Sequence, residues 1–288
     1  MQPLTTHTVT EDFISLPRRK RDTHKGDYGK LLLICGSTGY TGAPSLAAYG
    51  AVRSGAGLVF LGVPESIYII TAVKNTEAMP YPLPCDGEGR LTTQALPWIR
   101  EKLLQCDVCL IGPGLGRSGQ ITQLVQQVIR TSKIPLIIDA DGINAVSENI
   151  HILDEATCPI ILTPHEGEFR RLGGNPENRL QAAGSFAIRH SCTLVLKGAK
   201  TVTATGDGMA YVNTTGNPGM AKGGSGDTLA GIMAALAGQK LQPERAAYTA
   251  VWLHGKAGDV AAQKLGEYAM TPTDLIDALP EVLKLVER

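Results

Sequence analysis

The sequence predicts an α/β protein with a mostly parallel sheet covered by helices on both faces, and three observations carry that expectation. Short runs that are apolar throughout recur along the chain, as expected of strands buried on both faces. Each is followed by a Gly-rich or polar turn and then a helix-like stretch, the rhythm of right-handed βαβ units. Past residue 192 that rhythm gives way to closely spaced strand-like runs of the kind hairpins connect, which predicts antiparallel strands at one edge of the sheet.

The elements follow in order. KLLLIC (30–35) reads as a buried strand, GSTGYTG as a tight turn, APSLAAYGAVRSGAG as a small-residue helix and LVFLGV (58–63) as the next strand. The unit repeats as DVCLIG (107–112) with helix QITQLVQQVIR, PLIIDA (135–140) with helix DGINAVSE, and PIILT (159–163) with helix PHEGEFRRL. TLVLKG, KTVTAT and MAYVN are the hairpin strands; DTLAGIMAALAG, PERAAYTAVWLHGKAGDVAAQKL and TPTDLIDALPEVLKLVER close the chain as helices. No linker, low-complexity tract or fixed-period repeat interrupts the pattern, so residues 1–288 are expected to form one domain, with 1–23 as a polar lead-in.

Composition narrows the function classes. The 288 residues are 43% apolar and 19% charged, with 27 basic and 27 acidic side chains. That balance marks neither a nucleic-acid binder nor an anionic-membrane binder, so any anionic ligand must be met by local structure. No window approaches the ~18 apolar residues that span a bilayer, and the N-terminus lacks a signal-peptide run, so a cytoplasmic protein is expected. The scattered cysteines 35, 85, 106, 109, 158 and 192 read as reduced, mostly buried thiols. Cys106 and Cys109 form a lone C-x-x-C that a strand would place on opposite faces.

Open α/β sheets bind ligands beyond the carboxyl ends of their strands, so the turns there are the places to search. Gly114-Leu115-Gly116-Arg117-Ser118-Gly119 matches G-x-G-x-x-G and is followed by Asp139, as in a dinucleotide fingerprint. Pro113 and its mid-chain position argue against that fold. In NPGMAKGGSGDTLAG (217–231) Lys222 precedes the glycines, which excludes a Walker A loop. Backbone N–H groups of Gly224, Ser225 and Gly226 at a helix start nevertheless make an anion hole. Asp227 beside it is either a helix N-cap or a general base facing a bound phosphate across a substrate hydroxyl.

Thr163-Pro164-His165-Glu166 has the form of a capping box with Pro at the first helical position, which would make Thr163 and Glu166 structural and leave His165 facing a ligand. Asp139 and Asp141 lie near a metal or cap a helix. Lys197-Gly198-Ala199-Lys200-Thr201 reads as a hairpin turn whose lysines meet either phosphates or solvent.

Taken together, HKGDYGK, GAPSLAA, IGPGLGR, IDADGINAV, LTPHEGEF, VLKGAKTV and NPGMAKGGSGDTLAG, in this order from about residue 24 to about 270, resemble the ADP/ATP-dependent NAD(P)H-hydrate dehydratases of the ribokinase-like superfamily. HKGDYGK and TPHEGEF carry the specificity, since GSGDTL alone occurs in many ribokinase-like kinases.

The resemblance implies a three-layer α/β/α fold and transfer of a phosphoryl group from ADP or ATP, with Mg²⁺, to the C6 hydroxyl of hydrated NADH or NADPH. Loss of phosphate then restores the cofactor. It implies Asp227 as base, with Gly224, Ser225 and Gly226 on the phosphoryl group. Ala43, Gly116, His165 and Asp227 would contact the hydrate. Lys197, Gly198, Ala199, Lys200, Thr201 and Gly226 would contact the nucleotide, and Glu168 or Asp139 would help place the metal through water. It further implies a bacterial single-domain form, a homotetramer and a functional pairing with an epimerase. A ribokinase-like kinase for a vitamin precursor such as hydroxyethylthiazole or a pyrimidine would use Asp227 in the same way. A non-catalytic nucleotide binder and a true dehydrogenase are the further alternatives.

Overall fold

The computed structural model describes residues 4–288. The strands are β1 (Thr5–Val9), β2 (Lys30–Ile34), β3 (Leu58–Pro64), β4 (Met79–Leu83), β5 (Val108–Ile111), β6 (Leu136–Ile138), β7 (Ile160–Leu162), β8 (Thr193–Leu196), β9 (Val202–Ala204) and β10 (Met209–Asn213). The helices are α1 (Gly42–Arg53), α2 (Tyr68–Lys74), α3 (Leu96–Leu103), α4 (Gly119–Thr131), α5 (Asp141–Ser147), α6 (Glu166–Arg171), α7 (Arg179–Arg189), α8 (Ser225–Gly238), α9 (Pro243–Ala269) and α10 (Pro272–Val286).

All ten strands join one sheet in the order β1-β10-β9-β8-β7-β6-β5-β2-β3-β4. Strands β8, β7, β6, β5, β2, β3 and β4 pair in parallel. β9 runs against both β8 and β10. The expected antiparallel hairpins are present, but they do not form the edge. β1, from the segment read as a lead-in, pairs in parallel with β10 beyond them.

Because side chains alternate across a strand, the buried runs feed two cores. Leu31, Leu33, Leu61, Leu110, Ile137 and Val195 pack with α1, α8, α9 and α10 on one face. Leu32, Ile34, Ile111, Ile138, Leu162 and Leu196 pack with the helices α3 to α7 on the other. This is the three-layer arrangement the sequence predicts. Among the described residues no helix is long and apolar enough to cross a membrane.

Cys106 lies before β5 rather than inside it, so Cys106 and Cys109 face the same core, not opposite sides of the sheet; all six thiols are free. The small residues of α1 bring a helix close. Ala47, Ala48, Gly50 and Ala51 are buried, and a Cβ on Gly231 of α8 would come within 2.0 Å of the Ala47 carbonyl oxygen. One on Gly50 would come within 2.9 Å of the Thr228 carbonyl. Helices α1 and α8 therefore touch backbone to backbone.

A Gly231→Val substitution must force these helices apart. Overpacking of this kind costs roughly 1–3 kcal/mol or more, so the urea midpoint of the variant is expected to fall; an unchanged midpoint would show that the contact is slack.

Candidate active site

The chain reverses direction along the sheet between β2 and β5, which makes their carboxyl ends a topological switch point, the place where open α/β sheets take ligands. The two following turns are tied together: the Gly36 N–H donates to the Pro113 carbonyl at 2.8 Å, and the Ser37 hydroxyl donates to the Gly114 carbonyl at 2.7 Å. Ala43 packs at this seam, 3.0 Å from where a Cβ on Gly114 would stand. Gly116 adopts φ +75°, and its N–H donates to the Asp141 carboxylate at 2.8 Å. That amide is taken, so any ligand contact at Gly116 uses its carbonyl or Cα.

Asp139, at the end of β6, is 1% exposed. Its Oδ1 accepts from Lys197 Nζ at 2.7 Å and from the Thr163 hydroxyl at 2.7 Å. The ribose-binding role that a dinucleotide fingerprint would give Asp139 is thereby excluded. Thr163 is not the helix cap either. The box forms two residues later, where His165 Nδ1 accepts from the Gly167 and Glu168 N–H groups at 2.9 and 3.2 Å and Glu168 accepts from the His165 N–H at 2.8 Å. With Nδ1 accepting, the proton of the neutral ring sits on Nε2. His165 is exposed at the strand end, with Nε2 3.4 Å from Glu168 Oε1.

Lys197 lies between the carboxylates. Burial works against its charge, but Asp139, Glu168 and Asp227 together hold its pKa above the ordinary lysine value. Its ammonium is directed inward to Asp139, leaving the exposed residues Gly198, Ala199 and Lys200 as the outer face of the turn. Thr201 closes that turn by donating to the Gly198 carbonyl at 2.9 Å. Arg179 supports it from below, reaching Glu166 at 2.6 Å and the Leu196 carbonyl at 2.9 Å.

The glycine-rich loop meets this cluster. Gly224 adopts φ +95° as the N-cap of α8, which removes Asp227 from that role and places it in the first turn. A Cβ on Gly226 would lie 3.4 Å from Lys197 Nζ and 3.9 Å from Asp139 Oδ2, so loop and ion pair face one another. Ser225 departs from the predicted anion hole: its N–H donates to the Lys222 carbonyl at 3.2 Å, closing the turn. Among the described residues the N–H groups of Gly224, Gly226 and Asp227 have no partner, and these are the donors available to an anion. The Lys222 ammonium turns away to the Tyr268 and Met270 carbonyls.

The Asp227 carboxylate makes no hydrogen bond among the described residues. Burial, together with the charges of Asp139 and Asp141, pushes its pKa up to about 6, with Lys197 opposing. A partly buried carboxylate of this kind, beside free N–H donors at a helix start, suits proton removal next to a bound phosphoryl group. Sequence reasoning missed Thr163, Asp141, Arg179 and His254 as partners of the site residues. Thr163 and Asp141 carried signals that were read as capping or metal placement, and His254 stands out as a polar residue amid the small residues of WLHGKAG.

Sheet order, three layers and a glycine loop opening α8 at the strand ends define the ribokinase-like fold. An Enterococcus faecalis ribokinase-like superfamily protein superposes with a TM-score of 0.86 at 30% identity, covering 98% of this chain and 96% of that one. The chain belongs to the NAD(P)H-hydrate dehydratase family, whose model matches residues 31–281. It is 35% identical to the ADP-dependent (S)-NAD(P)H-hydrate dehydratase of Bacillus subtilis, over 96% of this chain and 98% of that protein. A bifunctional NAD(P)H-hydrate repair enzyme of Moorella thermoacetica is 46% identical over 94% of this chain and 52% of its own length. The chain thus spans about half the length of the bifunctional relatives it matches.

The raised Asp227 pKa has a signed consequence for stability. The ionised carboxylate destabilises the fold above about pH 6, and that effect fades as the pH falls toward the unfolded value near 4. Asp227→Asn is therefore expected to gain about 1–3 kcal/mol at neutral pH, allowing for partial exposure, and to lose that gain by about pH 4. Urea unfolding at both pH values checks this; a variant less stable at neutral pH would contradict it.

Proposed function

We propose that the chain catalyses nucleotide-dependent dehydration of hydrated NADH and NADPH, with ADP or ATP as phosphoryl donor. The observation that carries this reading is Asp227, unpartnered and raised to about 6, next to the free N–H groups of Gly224 and Gly226. Asp227 takes the proton of the C6 hydroxyl as its oxygen attacks the terminal phosphorus of the donor. The free amides stabilise charge on the transferring group, while Lys197, already balanced by Asp139, adds a fixed positive charge behind Gly226. Phosphate then leaves C6 with loss of the C5 proton, and the C5–C6 double bond returns. With ADP the products are the reduced cofactor, AMP and phosphate.

In this scheme Ala43, Gly116 and His165 hold the dinucleotide, His165 donating from Nε2, and residues 197–201 hold the nucleotide. Ser225 acts as an anchor of the loop rather than a donor. The Bacillus subtilis dehydratase was co-crystallised with ATP and Mg²⁺, at a TM-score of 0.83 and 33% identity over 96% of this chain. Mg²⁺ accompanies the nucleotide here as well. Asp139 and Glu168 do not fit direct ligation: Asp139 is taken by Lys197 and Thr163, and Glu168 by the His165 cap. Their part is confined to the ion's water shell.

A cytoplasmic setting and a separate or fused epimerase, which would supply the reactive epimer of the hydrate, complete the proposal. So does self-association into a tetramer. Ile69 and Val73 on α2 are 69% and 81% exposed, beside Met79 and Tyr81 of the edge strand β4. Pro80 and Pro82 suit β4 to an edge position because they cannot donate to a ladder. A second copy is thus expected to pack on the α2 face rather than extend the sheet.

Incubation of the protein with hydrated NADH and ADP or ATP is expected to restore the absorbance of reduced nicotinamide. Phosphorylated thiazole or pyrimidine formed in its place would select the vitamin-precursor kinase. Asp227→Asn should keep ligand binding while turnover falls ~10²–10⁴-fold, and the wild-type rate should decline as the pH drops through about 6. Size-exclusion chromatography of an Ile69→Glu, Val73→Glu double variant should show a smaller species than the wild type; an unchanged assembly would place the interface elsewhere.

A further inference from the structure

His254 of α9 is 8% exposed and has no part in the scheme above. Its Nε2 lies 3.3 Å from the Ser225 hydroxyl, directly beneath the turn that carries the free amides. Ser225 is thus held twice, by its N–H on the Lys222 carbonyl and by its side chain on His254. Lys222 in turn grips the end of the same helix through the Tyr268 and Met270 carbonyls. Gly224 is closed in from the other side, where a Cβ would meet Leu46 at 2.3 Å and Pro272 at 3.4 Å. The glycine loop, whose φ +95° residue gives it little stiffness of its own, hangs from α9 by two polar tethers.

We propose that His254 is a positioning residue for phosphoryl transfer: by holding Ser225 it fixes the first turn of α8, so that the Gly224 and Gly226 amides and the Asp227 carboxylate keep their places around the transferring group. This inference rests on the reading of that turn as the phosphoryl site. Burial, with the Lys197 charge adding to it, pushes the imidazole pKa down to about 4 against the opposing effect of the Ser225 backbone. The ring therefore acts by geometry, bringing no charge near Asp227. Misplacement of a reacting group by a fraction of a contact distance is enough to slow a reaction ~10²-fold without weakening binding.

The test compares His254→Leu, which removes the tether, with His254→Gln, which keeps a polar nitrogen within reach of Ser225. Leu is expected to lower kcat by ~10-fold or more with the KM of hydrate and nucleotide little changed, and Gln to restore most of it. In a Ser225→Ala background, which keeps every backbone amide, Leu should add little further loss, because the two residues act as one unit. Hydrogen exchange of the backbone over residues 219–231 supplies a readout that needs no turnover: Leu should speed it and Gln should not. Unchanged kcat in Leu, an equal loss in the Ser225→Ala background, or unchanged exchange would overturn the proposal. A wild-type protein that dehydrates nothing, but whose loop loosens only in the Leu variant, would overturn the reaction and keep the tether.

Discussion

The backbone contact between α1 and α8 governs the geometry of the site. Gly231 lies against the Ala47 carbonyl and Gly50 against the Thr228 carbonyl, with no side chain between. A helix placed by side-chain packing has several ridge-and-groove solutions; one placed by backbone contact at two points has little freedom to slide or roll. The start of α8 is consequently set at the ends of β6 to β8. The free amides, Asp227 and the Lys197–Asp139 pair owe their juxtaposition to it.

The electrostatics build on that placement. Asp139, Glu168 and Asp227 gather near Lys197, and burial already disfavours ionisation of Asp227. Lys197 is spent largely on Asp139 at 2.7 Å, so it moderates the third carboxylate without quenching it. A lysine free to pair with Asp227 would have made it a weaker base, and one absent would have left Asp139 buried and unpaired, which is costly. Burial does most to raise the pKa of Asp227, and the two members of the ion pair pull it in opposite directions.

Much of this was legible in the residues. The buried strands announced themselves as apolar runs, and the motif at 217–231 marked the turn where free N–H groups stand beside Asp227. The misses have physical causes. β1 is TTHTV and mostly exposed, so it lacks the apolar pattern that marks a strand. β4 carries two prolines, which read as a break but belong to an edge. The cap at α6 was displaced by two residues because His165 caps with a ring nitrogen, outside the usual Ser, Thr, Asp and Asn set. Pairings such as Asp139 with Lys197 or Ser225 with His254 join separate elements, and no local pattern records them.

The outermost strand has a bearing on how the molecule comes into being. β1 pairs with β10, and Thr214 reaches back 205 residues to the Val9 carbonyl. Farther on, the Leu16 N–H donates to the Val286 carbonyl at 2.8 Å, and the Arg288 N–H returns to the Leu16 carbonyl at 2.9 Å. During synthesis β1 leaves the ribosome long before β10, so it must wait for its partner. Contacts so distant in sequence form slowly, while the parallel units between them can assemble as they emerge. The tie between Leu16 and the end of α10 thus forms only after α8, α9 and α10 have been made, later than the pairing of β1 with β10 can.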